Sequence, residues 1–104
     1  MADTTVTLAF VAKLVAKPGM DHEVADLLTG ALDLANAEGG TTVWFALRTD
    51  ASTFWIVDAF PGEDARQAHI TGPIAQELMA NADRLLATAP EILPADVLAA
   101  KLPT

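Results

Sequence analysis

The chain has 104 residues, 52% of them hydrophobic and 19% charged, with fourteen acidic side chains against six basic ones and a formal net charge of −8. That length suits one domain with a single core, and the acidity works against nucleic acid or an anionic membrane as a partner. The sequence contains no cysteine, which excludes disulfides, thiolate catalysis and cysteine-bound metal. The N-terminal stretch has neither a basic n-region nor a long apolar h-region, and no apolar run nears the ~20 residues that span a bilayer, so a soluble, cytoplasmic protein is expected.

In chain order, Thr5–Ala16 is rich in β-branched and aromatic residues and reads as a strand, with Phe10, Ala12 and Leu14 on one face and Val11, Lys13 and Val15 on the other. Lys17-Pro18-Gly19 stops it. Met20–Ala37 carries one apolar stripe, Val24, Leu27, Leu28, Ala31 and Ala35, and reads as a single helix with acids in its first turn and Gly39-Gly40 as a left-handed stop. Thr41–Thr49 and Thr53–Phe60 read as a hairpin closed by Asp50-Ala51-Ser52. Neither face of that hairpin is polar, so both need cover.

Pro61-Gly62 ends the hairpin, and Glu63–Ile70 reads as a short helix. Gly72-Pro73 opens a longer one with the stripe Ile74, Leu78, Ala82, Leu85 and Leu86. Glu91–Leu102 is taken as a last strand. The order β-α-β-β-α-α-β is an α+β domain with helices on one face of an antiparallel sheet. The other face, taken to carry Trp44 and Trp55, is bare in a monomer, so the pattern predicts a homodimer through it.

Two histidines occur. His69 closes a short helix, nine positions after Phe60. There it either caps carbonyls or serves a pocket as acid or base, imidazole being the side chain that changes charge near neutral pH. The helix end favours its cation and an apolar pocket disfavours it, and the sequence leaves the sign open. His22, between Asp21 and Glu23, is expected to be exposed, and three consecutive helical residues do not converge on a metal. Asp58 stands in an otherwise apolar strand face and needs a partner. Arg48 or Arg66 in a structural ion pair is one reading, and a catalytic carboxylate is the other. Phe60, Phe10, Leu28 and Met79 are either plain core or the walls of a pocket between sheet and helices. None of the phosphate-loop or nucleophile-elbow patterns occurs.

The run KLVAKPGM, the helix VADLLTGAL, the hairpin, and an aromatic nine positions before histidine in FPGEDARQAH together resemble the antibiotic biosynthesis monooxygenase domain. The resemblance covers nearly the whole chain. It implies a ferredoxin-like subunit, with residues 1–104 as one domain, pairing into a dimeric α+β barrel. Under it, His69 matches the histidine that many members place over the pocket, Phe60 a position often held by tryptophan, and Asp58 one commonly held by glutamate. Ala12 lies where the haem-degrading branch carries asparagine. Ala12 and Phe60 therefore depart from that branch, and the resemblance implies neither haem nor any other cofactor, and no metal.

What it implies instead is a cofactor-independent monooxygenase acting on a small aromatic or apolar metabolite. His69 is the expected base, helped by Asp58 or a water, with Phe60, Phe10, Ala12, Leu28 and Met79 as the substrate-binding set. A deprotonated, electron-rich phenol can itself pass an electron to dioxygen, so the protein needs only a dry cavity, a base and orienting contacts. Two alternatives use the same fold: a non-catalytic ligand-binding or assembly module, and an isomerase or decarboxylase working through the same histidine.

Overall fold

A computed structural model describes residues 6–103. Thr5, where the first strand was expected to begin, lies outside them. The elements are β1 (Leu8–Val15), α1 (Asp21–Gly30), α2 (Leu32–Ala37), β2 (Val43–Arg48), β3 (Thr53–Phe60), α3 (Glu63–Ile70), α4 (Pro73–Leu85) and β4 (Glu91–Asp96). The four strands form one antiparallel sheet in the order β2-β3-β1-β4, and the fold is the ferredoxin-like α+β class read from the sequence.

The turn after β1 needs Gly19, whose φ of +84° is the left-handed region that a Cβ disfavours. The expected long helix is instead two segments that break at Ala31. Its amide is shared between the carbonyls of Leu27 (3.1 Å) and Leu28 (3.2 Å), a local tightening beside Gly30, the weakest helix former in the run. The expected left-handed stop at Gly39-Gly40 is also absent. Among the described residues Gly19 alone has positive φ. Gly40 is small for another reason: a Cβ there would stand 2.8 Å from the Ala65 Cβ on α3.

Asp50 shapes the β2–β3 turn by accepting hydrogen bonds from the amides of Ser52 (3.0 Å) and Thr53 (2.9 Å). The Ser52 amide, followed by Thr53, holds the Asp50 carboxyl below its ordinary value. Because three residues form the turn, residues of equal parity stand opposite one another: Trp44 faces Asp58, Ala46 faces Ile56 and Leu47 faces Trp55. This corrects the expected placement of the tryptophans. Trp44 lies on the helix-covered face and packs against Ala31, Ala35 and Ile74, whereas Trp55 lies on the opposite face with Val11, Phe45, Leu47, Val57 and Leu93.

The core sits between the helix layer and one face of the sheet, where Ala12, Leu14, Phe54 and Ile56 meet Val24, Leu28, Leu78, Ala82 and Leu85. Burying each of the larger side chains stabilises the fold by roughly 1.5–3 kcal/mol. The last strand ends at Asp96, six residues before the expected Leu102. The Val97 amide still donates to the Thr7 carbonyl (2.9 Å) beyond the end of the strand. Leu98 is 96% exposed. β4 is an edge strand and carries Pro94, which has no N–H to give a ladder. No helix among the described residues is long and apolar enough to cross a membrane.

Candidate active site

β3 alternates buried and half-buried residues over its full length, and its helix-facing set is Phe54, Ile56, Asp58 and Phe60. The register thus delivers one carboxylate into an apolar layer, where Asp58 is 1% exposed. Pro61 and Gly62 reverse the chain, and α3 runs back across the sheet for two turns. His69 is the residue of its last turn that faces inward, 6% exposed, with its ring 5.2 Å from that of Phe60.

Both nitrogens of His69 are engaged. Nε2 lies 2.9 Å from Asp58 Oδ2, and Nδ1 lies 2.6 Å from Glu38 Oε1. Glu38 ends α2, and its Oε1 also accepts a hydrogen bond from the Thr41 hydroxyl (2.7 Å). Two glycines let this loop close on α3. Gly40 meets Ala65 as described, and a Cβ at Gly72 would lie 3.0 Å from the Ala68 carbonyl and 3.4 Å from Glu38 Oε2.

A neutral imidazole has one donor and one acceptor nitrogen, whereas two ionised carboxylates offer acceptors only. Charge-assisted bonds to both therefore favour the imidazolium. Burial works to lower the His69 pKa, but its hydrogen bonds to Asp58 and Glu38, and the charges of the same two groups, outweigh it and raise the pKa. The sign that the sequence left open is thereby given.

The expected ion pairs of Asp58 do not form. Arg48 stands opposite Phe54, four residues and roughly 13 Å along the strand from Asp58. Its guanidinium covers the Phe54 ring at 4.9 Å and donates to the Ala51 carbonyl at 2.8 Å. Arg66 pairs with Glu63 at 2.7 Å and lies over Phe10. His69 takes the place of both. The other carboxylate oxygen, Asp58 Oδ1, is buried and has no hydrogen-bond partner within the protein, and the same holds for Glu38 Oε2 and Trp44 Nε1.

Asp58 and His69 form the polar part of a cleft between the sheet and the α3–α4 layer, which Phe10, Ala12, Ile74 and Ile92 also line. The cleft holds about 330 Å³ of empty space, part of it open to solvent. Of the residues expected around a pocket, Phe10 and Ala12 thus meet Asp58 and His69. Phe60 stands behind the histidine, fully buried. Leu28 lies in the main core under α1, away from this cleft. Met79 is 58% exposed, because Leu78 takes the inward position on α4 and the next helical residue is turned ~100° from it. His22 is exposed, as expected. Among the described residues no cluster of three or more potential metal ligands occurs.

Glu38 escaped the sequence reading. Its signal was an acid at the C-terminal end of a helix, against the dipole, followed directly by two glycines.

No protein-family profile and no curated protein sequence matches the chain. Solved structures do match it, and the fold is shared with proteins provisionally described as antibiotic biosynthesis monooxygenases. A Caulobacter crescentus protein provisionally described as an antibiotic biosynthesis monooxygenase is similar with a TM-score of 0.78 and 19% identity, over 92% of this chain and 93% of that one. A Nitrosomonas europaea protein with the same provisional description is similar at 0.78 and 12%, over 88% and 90%. The similarity to a second Nitrosomonas europaea protein, NE2512, described as of unknown function, is 54% identity with a TM-score of 0.93 over 95% of this chain and 96% of that one. The chain belongs to one family with NE2512.

Proposed function

We propose that the protein is a cofactor-independent oxygenase that deprotonates a small, apolar, electron-rich substrate of the phenol or anthrone type at Asp58. One observation carries the reading: a buried carboxylate at an apolar cleft wall has one oxygen bonded to the His69 ring and the other, Oδ1, unpartnered. An acceptor so placed is suited to take a proton from a bound substrate. The role expected of His69 passes to Asp58, because neither ring nitrogen of His69 is free. The positive charge of His69 stabilises the substrate anion that forms beside it in a low-dielectric cleft.

The overall reaction balances without an external reductant. A ring CH₂ and one O₂ give C=O and H₂O, the four electrons passing from the carbon to dioxygen. The fold shared with the antibiotic biosynthesis monooxygenases supports this outcome over isomerisation, which would use the same base without oxygen. The protein is proposed to act as a homodimer through the bare sheet face, where Phe45 is 55% and Leu93 59% exposed.

The test is oxygen uptake with a panel of anthrones and phenols. Wild type should consume oxygen in step with quinone formation, and Asp58→Asn should lower the rate by roughly 10²–10⁴-fold, the usual scale for a lost general base. Equal rates in folded Asp58→Asn and wild type, or no turnover across the panel, would sink the reading.

A further inference from the structure

We propose that Glu38 is a positioning residue for Asp58: through Nδ1 it holds His69 as the doubly protonated imidazolium and aims Nε2–H at Asp58 Oδ2. The three groups come from separate elements, the end of α2, the last turn of α3 and the centre of β3, and the two contacts, 2.6 and 2.9 Å, join them in one line. Without Glu38, Nδ1 would lose the carboxylate it meets at 2.6 Å, and the ring could shed that proton. The neutral ring could then turn a lone pair toward Asp58, and Oδ2 would lose its donor. With Glu38 in place, Oδ2 stays occupied and Oδ1 remains the one oxygen of Asp58 without a partner.

The charged groups around His69 are few. Asp58 faces it from β3 and Glu38 from the α2–β2 connection, while Arg66, one turn earlier on α3, is engaged by Glu63 at 2.7 Å. The Thr41 hydroxyl donates to the same Glu38 oxygen that meets the ring, which fixes the carboxylate's orientation. Two rigid close approaches, Gly40 on Ala65 and Gly72 on the α3 carbonyls, keep the loop in reach.

The positioning role rests on the reading of Asp58 as the base, but the state of the ring can be measured without any activity. Nitrogen-15 NMR of the two histidines, with His22→Gln for assignment, reports whether each ring carries one proton or two. In wild type at pH 7 the His69 ring nitrogens should have nearly equal shifts, the mark of the imidazolium. In Glu38→Gln, which keeps size and shape, the proton affinity of His69 should fall at least tenfold, seen as a titration midpoint at least one pH unit lower. Oxygen uptake by that variant should lose its alkaline side at correspondingly lower pH.

A neutral His69 in wild type at pH 7, or an unmoved midpoint in folded Glu38→Gln, overturns the proposal. The wild-type spectrum decides even where the variant does not fold. Absence of oxygen uptake in wild type would count against the oxygenase alone, since the NMR result stands independently of it.

Discussion

At the scale of single residues, His69 is the hinge of the site, and its pairing has consequences for stability. Removing one member of a buried, hydrogen-bonded charge set typically costs about 3–5 kcal/mol, because the remaining charges lose their compensation. His69→Gln should therefore lower the unfolding free energy on that scale in denaturant titrations, although the side chain is of similar size. The pH dependence has a definite sign. The His69 pKa is raised above its ordinary value of 6.5, so the folded state binds the extra proton more tightly than the denatured chain does. This contribution is fully present below pH 6.5 and is lost as pH rises through the raised value. Thermal unfolding should show wild type exceeding His69→Gln by its widest margin in the mildly acidic range, with the gap narrowing in alkali. A gap that widens with pH would mean that the ring is buried neutral.

At the scale of elements, the glycines that admit the Glu38 loop decide whether the site assembles. A Cβ at Gly40 would meet Ala65 at 2.8 Å, too close without backbone movement, since Ala65 has no flexible end to yield. Gly40→Val should cost about 1–3 kcal/mol, the usual range for overpacking, and should weaken the Glu38–His69 contact more than the hairpin. Amide hydrogen exchange would show this as faster exchange in α3 with β2 and β3 unchanged. Much of the element order was legible because the stripes on α1 and α4 and the turn residues after β1 and β3 act locally. His69 and Asp58 were legible for a related reason, each being a polar residue in an apolar frame. Trp44 was misplaced although the three-residue turn was read correctly: that turn puts residues of equal parity on one face, so Trp44 belongs with Asp58 and not with Trp55. Glu38 was missed because its partner is 31 positions away, and no local pattern records such a contact.

At the scale of the whole molecule, the bare sheet face carries the prediction of assembly. Val11, Phe45, Leu47, Trp55, Val57 and Leu93 form an apolar surface on one side of a four-stranded sheet whose other side is already filled. On a monomer, single polar substitutions at exposed positions change stability by about ±0.5 kcal/mol. Across a dimer interface they bury unpaired charges. Phe45→Asp and Leu93→Asp should each convert a dimer of wild type into a monomer in light scattering, with the fold retained by circular dichroism. A wild type that is monomeric at high micromolar concentration would remove the proposed interface.

Pro94 bears on what such an assembly cannot become. A sheet with two free edges can in principle keep recruiting strands, each chain templating the next into a fibre. A proline in the outermost strand leaves a gap in the row of donors that an incoming strand would have to match, so growth from that side is blocked whatever happens on the face. Pro94→Val would restore the row. Agitated solutions of that variant should form thioflavin-positive aggregates sooner than wild type.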